Sequence, residues 1–359
     1  MTKSLTVPNC IACLIALLLV SAGAAAARVD DLFQVEVPAA GRDPASRDAA
    51  LGQALGEVLL RVTGSAESLR DPSLKPLFKN PSRFAQQFRF REVPAQPAAE
   101  QTEQTEQLNL WVQFDGVALA REIREAGLPF WGSERPDVLL WLAVDDRGRR
   151  YLVSDNSEGS VSGSLAAAAD RRGLPLTLPL MDLEDQRAVQ FTDVWGGFVG
   201  SLEAASQRYR PQVILVGKLG HSGASGGWRG SWNLLGTGTP QSWTSHAPTL
   251  EAAVDQGIGE ASEWLALQYA VVATDASVRT LVVEGIDGLA DYARVSRYLA
   301  SLTPVDEVQV ARVSGQEVEF SLHLNSAEGS LLRVITLGRV LQANEEPSQP
   351  SAWRFRLNP

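Results

Sequence analysis

Apolar residues recur along this chain in two rhythms, helical and alternating, and their order divides it into three folded units behind an apolar leader. An imperfect alternation at 31–38 predicts a strand. Asp43 then stands as N-cap, Pro44 takes the first helical position and Gly64 lies beyond the end. Leu51, Leu55, Val58, Leu59 and Val62 return at helical spacing and give that helix one apolar face. Residues 88–93 and 108–114 alternate again and predict two strands. The Pro/Ala/Gln/Glu stretch 94–107 between them reads as a mobile hairpin loop, too polar to bury. A helix over 117–126 stops at Gly127 and Pro129. This first unit, 28–132, is a small β-α-β-β-α unit with helices on one face of an antiparallel sheet.

The rhythm changes in a second unit, 133–274. Val138 to Val144 is a continuous apolar run, as a strand covered on both faces requires. Helical patterns follow over 164–172 and 194–209, then a second unbroken strand at 213–216. Buried strands alternating with helices predict a partly parallel central α/β sheet domain. It turns antiparallel at 228–235 and 241–245, around a turn at 236–240, and a helix over 249–269 closes it. The third unit, 275–359, predicts strand 280–284, helix 289–301, strands 307–313 and 317–324, helix 330–341 and strand 353–357. That is the β-α-β-β-α-β order of a ferredoxin-like unit. The fold class expected is mixed α+β and α/β.

Ahead of these units, Lys3 precedes an apolar run from Cys10 to Val20 and the small residues Ser21 to Ala27. A positive start, roughly ten apolar residues and an Ala-x-Ala end predict a secretory signal over 1–27, cleaved after Ala27. The alternative is an uncleaved inner-membrane anchor, because the uncharged stretch 10–27 is near the lower limit of about 17 residues for a spanning helix. No other stretch of that length is apolar, so no integral span is expected after cleavage. The location implied is periplasmic.

Both cysteines, Cys10 and Cys13, lie inside the leader, so a mature chain would have no disulfide, thiolate metal site or cysteine nucleophile. Its cores must be ordinary hydrophobic ones, and the length allows two or three. The formal charge of −10, deepened by one when Lys3 leaves, argues against nucleic acid and anionic lipid as partners.

Candidate chemistry is sparse. Gly223-Ala224-Ser225-Gly226-Gly227 satisfies G-x-S-x-G, but that elbow works between a strand and a helix, and 228–234 reads as a strand. A flexible hairpin loop is the reading preferred, with His221 or His246 the only bases to hand. Gly217-Lys218 lacks the glycine and hydroxyl of a phosphate loop. His221, His246 and His323 are scattered with no metal-ligand spacing. Asp182, Glu184, Asp185 and Asp193 form the densest acidic segment; helix capping explains it most simply, with Asp193 placed to cap the 194–209 helix, and a cation site or a paired-carboxylate glycosidase is the sharper alternative. Trp228 and Trp232 lie four apart on one strand and share a face, as core packing or as a platform for a sugar or a partner. No catalytic, cofactor-binding or metal-ligating residue is assigned, and no cofactor.

Several segments together carry a resemblance: Ala27 to Phe33, Val58-Leu59-Leu60-Arg61-Val62-Thr63-Gly64, Gly173 to Asp185, Asp193-Val194-Trp195-Gly196-Gly197-Phe198, Ala205-Ser206-Gln207-Arg208-Tyr209, and Ile214 to Leu219. They resemble an uncharacterised proteobacterial family of exported proteins, domain of unknown function 2066, over nearly the whole chain. The architecture is also similar to periplasmic assembly factors, including flagellar-basal-body ring proteins, penicillin-binding-protein activators and the amino-terminal domain of the Tol-system translocation protein. What this implies is a non-catalytic binding or assembly module of the cell envelope with an envelope protein as partner. The rival expectation is an envelope hydrolase or carbohydrate-binding protein using the Asp182–Asp193 segment or the Trp228/Trp232 pair.

Overall fold

The computed structural model describes residues 29, 31–93, 107–157, 160–222, 226–343 and 352–358. The leader and most of the loop at 94–107 lie outside these. Among the described residues the fold is mixed α and β, with three sheets.

In the first unit, β1 (Gln34–Pro38) leads to α1 (Pro44–Thr63), the short α2 (Lys75–Lys79), β2 (Ala85–Val93), β3 (Gln107–Phe114) and α3 (Gly116–Glu125). The predicted caps of α1 are present: Asp43 accepts from the amides of Ala45 and Ser46, and Gly64 ends the helix at φ 70°. The sheet runs in the order β1-β3-β2, antiparallel throughout. Leu51, Leu55, Val58 and Leu59 of α1 and Leu119 and Ile123 of α3 pack with Val37, Leu110, Val112 and Phe114 in one core.

The second unit comprises β4 (Val138–Asp146), β5 (Arg149–Leu152), α4 (Ser160–Arg172), β6 (Leu176–Thr177), α5 (Leu183–Ala188), α6 (Phe191–Gly196), α7 (Val199–Ser206), β7 (Val213–His221), β8 (Trp228–Leu235), β9 (Gln241–Ala247) and α8 (Leu250–Tyr269). The sheet order is β5-β4-β7-β8-β9, with β6 on the β5 side of β4; β4 is parallel to β6 and β7 and the rest is antiparallel. The apolar run of β4 is covered on both faces. Leu140, Leu142 and Val144 meet α4 and α8. Leu139, Trp141 and Ala143 meet the layer of α6 and α7.

Two expectations are corrected here. The helix expected over 194–209 is two short helices and a 3-10 turn, because Gly197 takes φ 70° and ends α6. The hairpin arm β5 was not anticipated; Arg147 at φ 54° and Gly148 at φ 92° make the tight two-residue turn that folds it back on β4.

The third unit runs β10 (Ala273–Glu284), α9 (Leu289–Ser301), β11 (Val305–Ser314), β12 (Glu317–Ser326), α10 (Glu328–Leu337), β13 (Leu341–Ala343) and β14 (Ala352–Leu357). Its sheet order is β11-β12-β10-β14-β13. The expected β-α-β-β-α-β order gains a strand: the predicted 330–341 helix stops at Leu337, and β13 follows. A strand reached from β12 through a helical crossover runs parallel to β12, hence antiparallel to β10. β13 has that direction, but β14 turns back and inserts between it and β10, and pairs with β10 in parallel. The last strand therefore departs from the ferredoxin-like pattern.

The units touch at several points. Phe130 and Val271 form an antiparallel bridge between the first and second. Arg339 pairs with Asp137 at 2.9 Å between third and second. No helix among the described residues is long and apolar enough to cross a membrane.

Candidate functional site

The acidic segment folds into a closed clasp. Asp182 caps α5, accepting from the amides of Glu184 and Asp185. Arg208, on the turn after α7, grips both Asp182 oxygens at 2.8 Å and Asp185 Oδ1 at 3.0 Å. Asp185 is buried, and its Oδ2 accepts from Tyr209 Oη at 2.5 Å and from the Met181 amide at 2.9 Å. The Arg208 hydrogen bond is the main reason that the Asp182 carboxyl titrates well below the usual carboxylate range, and Asp182 in turn holds Arg208 above its ordinary value. Burial, then the bond to Asp185, pushes the Tyr209 phenol up to about 12. These carboxylates fasten the α5–α7 layer. Asp193 is not the cap of its helix: Gln190 is, and Asp193 returns the bond to the Gln190 amide at 2.7 Å in a capping box. A hollow of about 690 Å³ beside the clasp draws its whole wall from 182–188, so it is open surface over one short helix. Among the described residues, no three His, Cys, Asp or Glu side chains are grouped to hold a metal ion.

The tryptophan pair does share a face of β8, and that face is the core. Trp232 is fully buried, and its Nε1 donates to Ser245 Oγ at 3.0 Å. Trp228 is also buried, against His221 at 4.3 Å between ring centres. Burial removes the Trp228/Trp232 pair as a stacking platform for a sugar or a partner. His221 Nε2 meets Asp146 Oδ1 at 2.9 Å, His246 stands exposed on β9, and His323 belongs to the third unit, so the histidines do not converge. Ser225 lies outside the described residues; the stretch that holds it connects β7 to β8, two antiparallel strands.

A cleft of about 1610 Å³ lies elsewhere, between the first and second units. Its walls are β1, α1, α4 and the segment through β6, with Tyr209 of the clasp at its margin. Two sheet edges open into it. In β1 the Phe33 carbonyl and the Ala39 amide bond toward β3, so main-chain groups of even-numbered residues point out of the sheet. Arg61 takes the Gln34 carbonyl at 2.7 Å, and Glu36 is left with both N–H and C=O outward. In β6 the Pro175 carbonyl bonds to the Val138 amide, and the parallel register turns the main chain of Leu176 away from β4. Carboxylates of Asp31, Glu57, Asp155 and Asp170 line the same cleft.

Beneath this cleft lie two buried arginines. Arg61 donates to the carbonyls of Asp31, Leu32 and Gln34. Arg135, 1% exposed, donates to those of Trp131, Gly132, Arg61, Arg172 and Gly173 and covers the Trp131 ring at 4.1 Å. Burial first, and then the like charge of Arg61, lower Arg135 to about 9. The sequence did carry a signal for Arg61: it falls three residues after Val58 and seven after Ala54, on the apolar face of α1.

Residues 26–132, the first unit with the end of the leader, match the family described as Domain of unknown function (DUF8605). That description is a different one from domain of unknown function 2066. No curated protein and no solved structure matches the chain.

Proposed function

We propose that this protein is a non-catalytic binding module of the cell envelope, exported by its 1–27 leader, that holds an extended segment of an envelope protein in the cleft between its first two units. The observation that carries this reading is that Glu36 and Leu176, whose main chains face out of the edges of two different sheets, both line one cleft. A strand edge with unused N–H and C=O groups is a template for another chain, and main-chain bonding of that kind gives affinity with little demand on sequence.

The edge of β11 is less suited: two register breaks, at 305/307 and 310/312, kink its ladder. The carboxylates of the acidic segment, by contrast with an enzyme's, are spent on a helix cap and on Arg208. The resemblance to exported envelope proteins supports the same reading.

A photo-crosslinking residue placed at Thr177, an exposed position in the cleft, tests it in intact cells. Capture of an envelope protein that is lost when the crosslinker is moved to an exposed position on β9 is the result expected. Capture of no envelope protein, or a mature chain that keeps residues 1–27 in the cytosol, would overturn the proposal.

A further inference from the structure

The cleft also states what kind of segment it would accept. Asp31 comes from the turn before β1, Glu57 from α1 and Asp170 from α4, three elements that meet at one end of the cleft. Their charges all fall on Arg61. None of the three makes an ion pair among the described residues, and Asp155, further along the wall, makes none either.

The cations of the wall do not cancel this field. Arg61 is buried, with Nη1 on main-chain carbonyls, and as one cation it offsets at most one of the four charges from below. Arg171 is paired with Asp255 of α8 at 3.1 Å. Glu36 is itself held by Arg91 at 2.6 Å and contributes little. A concave, partly apolar site with excess negative charge concentrates cations and repels anions. Pro175 and Leu176, with the exposed Ala166 and Ala167 of α4, supply the apolar part.

Resting on the binding reading above, we propose that the occupant is an extended polypeptide segment with Lys or Arg at alternating positions and apolar residues between them. Alternation follows from strand geometry: side chains of a bound strand point to opposite faces in turn, so one set reaches the carboxylates while the other lies on the apolar floor.

The test uses the full chain and three fluorescent decapeptides, alternating Lys-Val, Ser-Val and Glu-Val, titrated by anisotropy at low and physiological salt, with a Lys-Val peptide N-methylated on alternate amides. Lys-Val binds about tenfold or more tighter than Ser-Val, weakens as salt rises, and loses about tenfold with Asp31→Asn, Glu57→Gln and Asp170→Asn combined, while Glu-Val fails to bind. Equal binding of Lys-Val and Ser-Val, or no binding of Lys-Val, overturns the cationic occupant. If Ser-Val binds equally well and N-methylation still abolishes binding, the strand-edge reading stands without it. If the N-methylated peptide binds as well as its parent, the edge reading fails while the charge selection stands. The peptide comparison on the unaltered chain holds even where the triple variant does not fold.

Discussion

Arg135 Nη2 donates to the main-chain carbonyl of Arg61 at 2.8 Å, so one buried cation is tied to the last turn of the helix that carries another. The arrangement looks like an electrostatic error until the other acceptors are placed. Arg61 lies at the end of α1, and Arg172 and Gly173 lie at the end of α4. Helix C-termini present unpaired carbonyls and the negative end of the macrodipole, and both helices aim theirs at the same guanidinium. Arg135 serves as a shared C-terminal cap, and no carboxylate is needed beside it.

Replacing Arg135 with Met should therefore loosen the junction of first and second units. Five carbonyls lose a charged donor, and the cost expected is on the order of 3 kcal/mol, read as a lowered denaturation midpoint. Lys at this position keeps the charge but not the planar spread of donors, and should recover only part of the loss. A midpoint unchanged by Arg135→Met would show that the carbonyls find water equally well.

Two glycines divide on packing alone. A Cβ on Gly257 of α8 would sit 2.1 Å from the Trp232 ring, which is fully buried and bonded to Ser245, and a Cβ on Gly217 of β7 would sit 2.6 Å from the same ring. Gly257→Ala should destabilise by about 1–3 kcal/mol despite the better helix propensity of alanine. Gly52 of α1 has nothing within 4 Å, so Gly52→Ala should stabilise by roughly 0.5–1 kcal/mol. Thermal melts of the two variants moving in the same direction would contradict this slot for Trp232.

The Asp182–Arg208 pair sets an acid limit. Asp182 titrates lower in the folded chain than in the unfolded one, so its contribution is fully present above the ordinary carboxylate value of about 4 and is lost as pH falls through its depressed folded value. Asp182→Asn should flatten the decline in stability on the acid side while leaving the profile near neutrality parallel to that of the unaltered chain. Denaturation midpoints measured from pH 6 downward check it, and an acid limb of unchanged slope would remove Asp182 from that role.

Local punctuation made much of this fold legible. Asp43, Pro44 and Gly64 bracket α1 in the sequence as they do in three dimensions, and 228–235 reads as the strand it is, because each signal is decided within a few residues. The adjacent Gly196 and Gly197 were an equally local warning that a helix over 194–209 would break; the apolar periodicity around them masked it. What was not legible depends on distant partners. The insertion of β14 beside β10 is a choice among sheet edges, and the convergence of α1 and α4 on Arg135 needs both helix ends in place. The cleft is harder still, since its lining is contributed by two units and its open main-chain groups leave no mark in side-chain pattern.

Tyr209 supplies the alkaline counterpart of the acid limit. Its hydroxyl donates to Asp185 Oδ2 and accepts from the Leu180 amide, so ionisation would set a phenolate against a buried carboxylate. The folded value, pushed up to about 12, lies above the ordinary value near 10. A raised value favours the protonated folded form: the contribution is fully present below pH about 10 and is lost as pH rises through about 12. The ring is only partly buried, so the whole shift does not convert to stability, and about 1 kcal/mol is the loss expected from Tyr209→Phe at neutral pH. Ultraviolet titration should show one fewer late-ionising tyrosine in that variant. If its alkaline unfolding limb overlays that of the unaltered chain, the Tyr209–Asp185 bond is a contact without energetic consequence, and the α5–α7 layer is fastened by Arg208 alone.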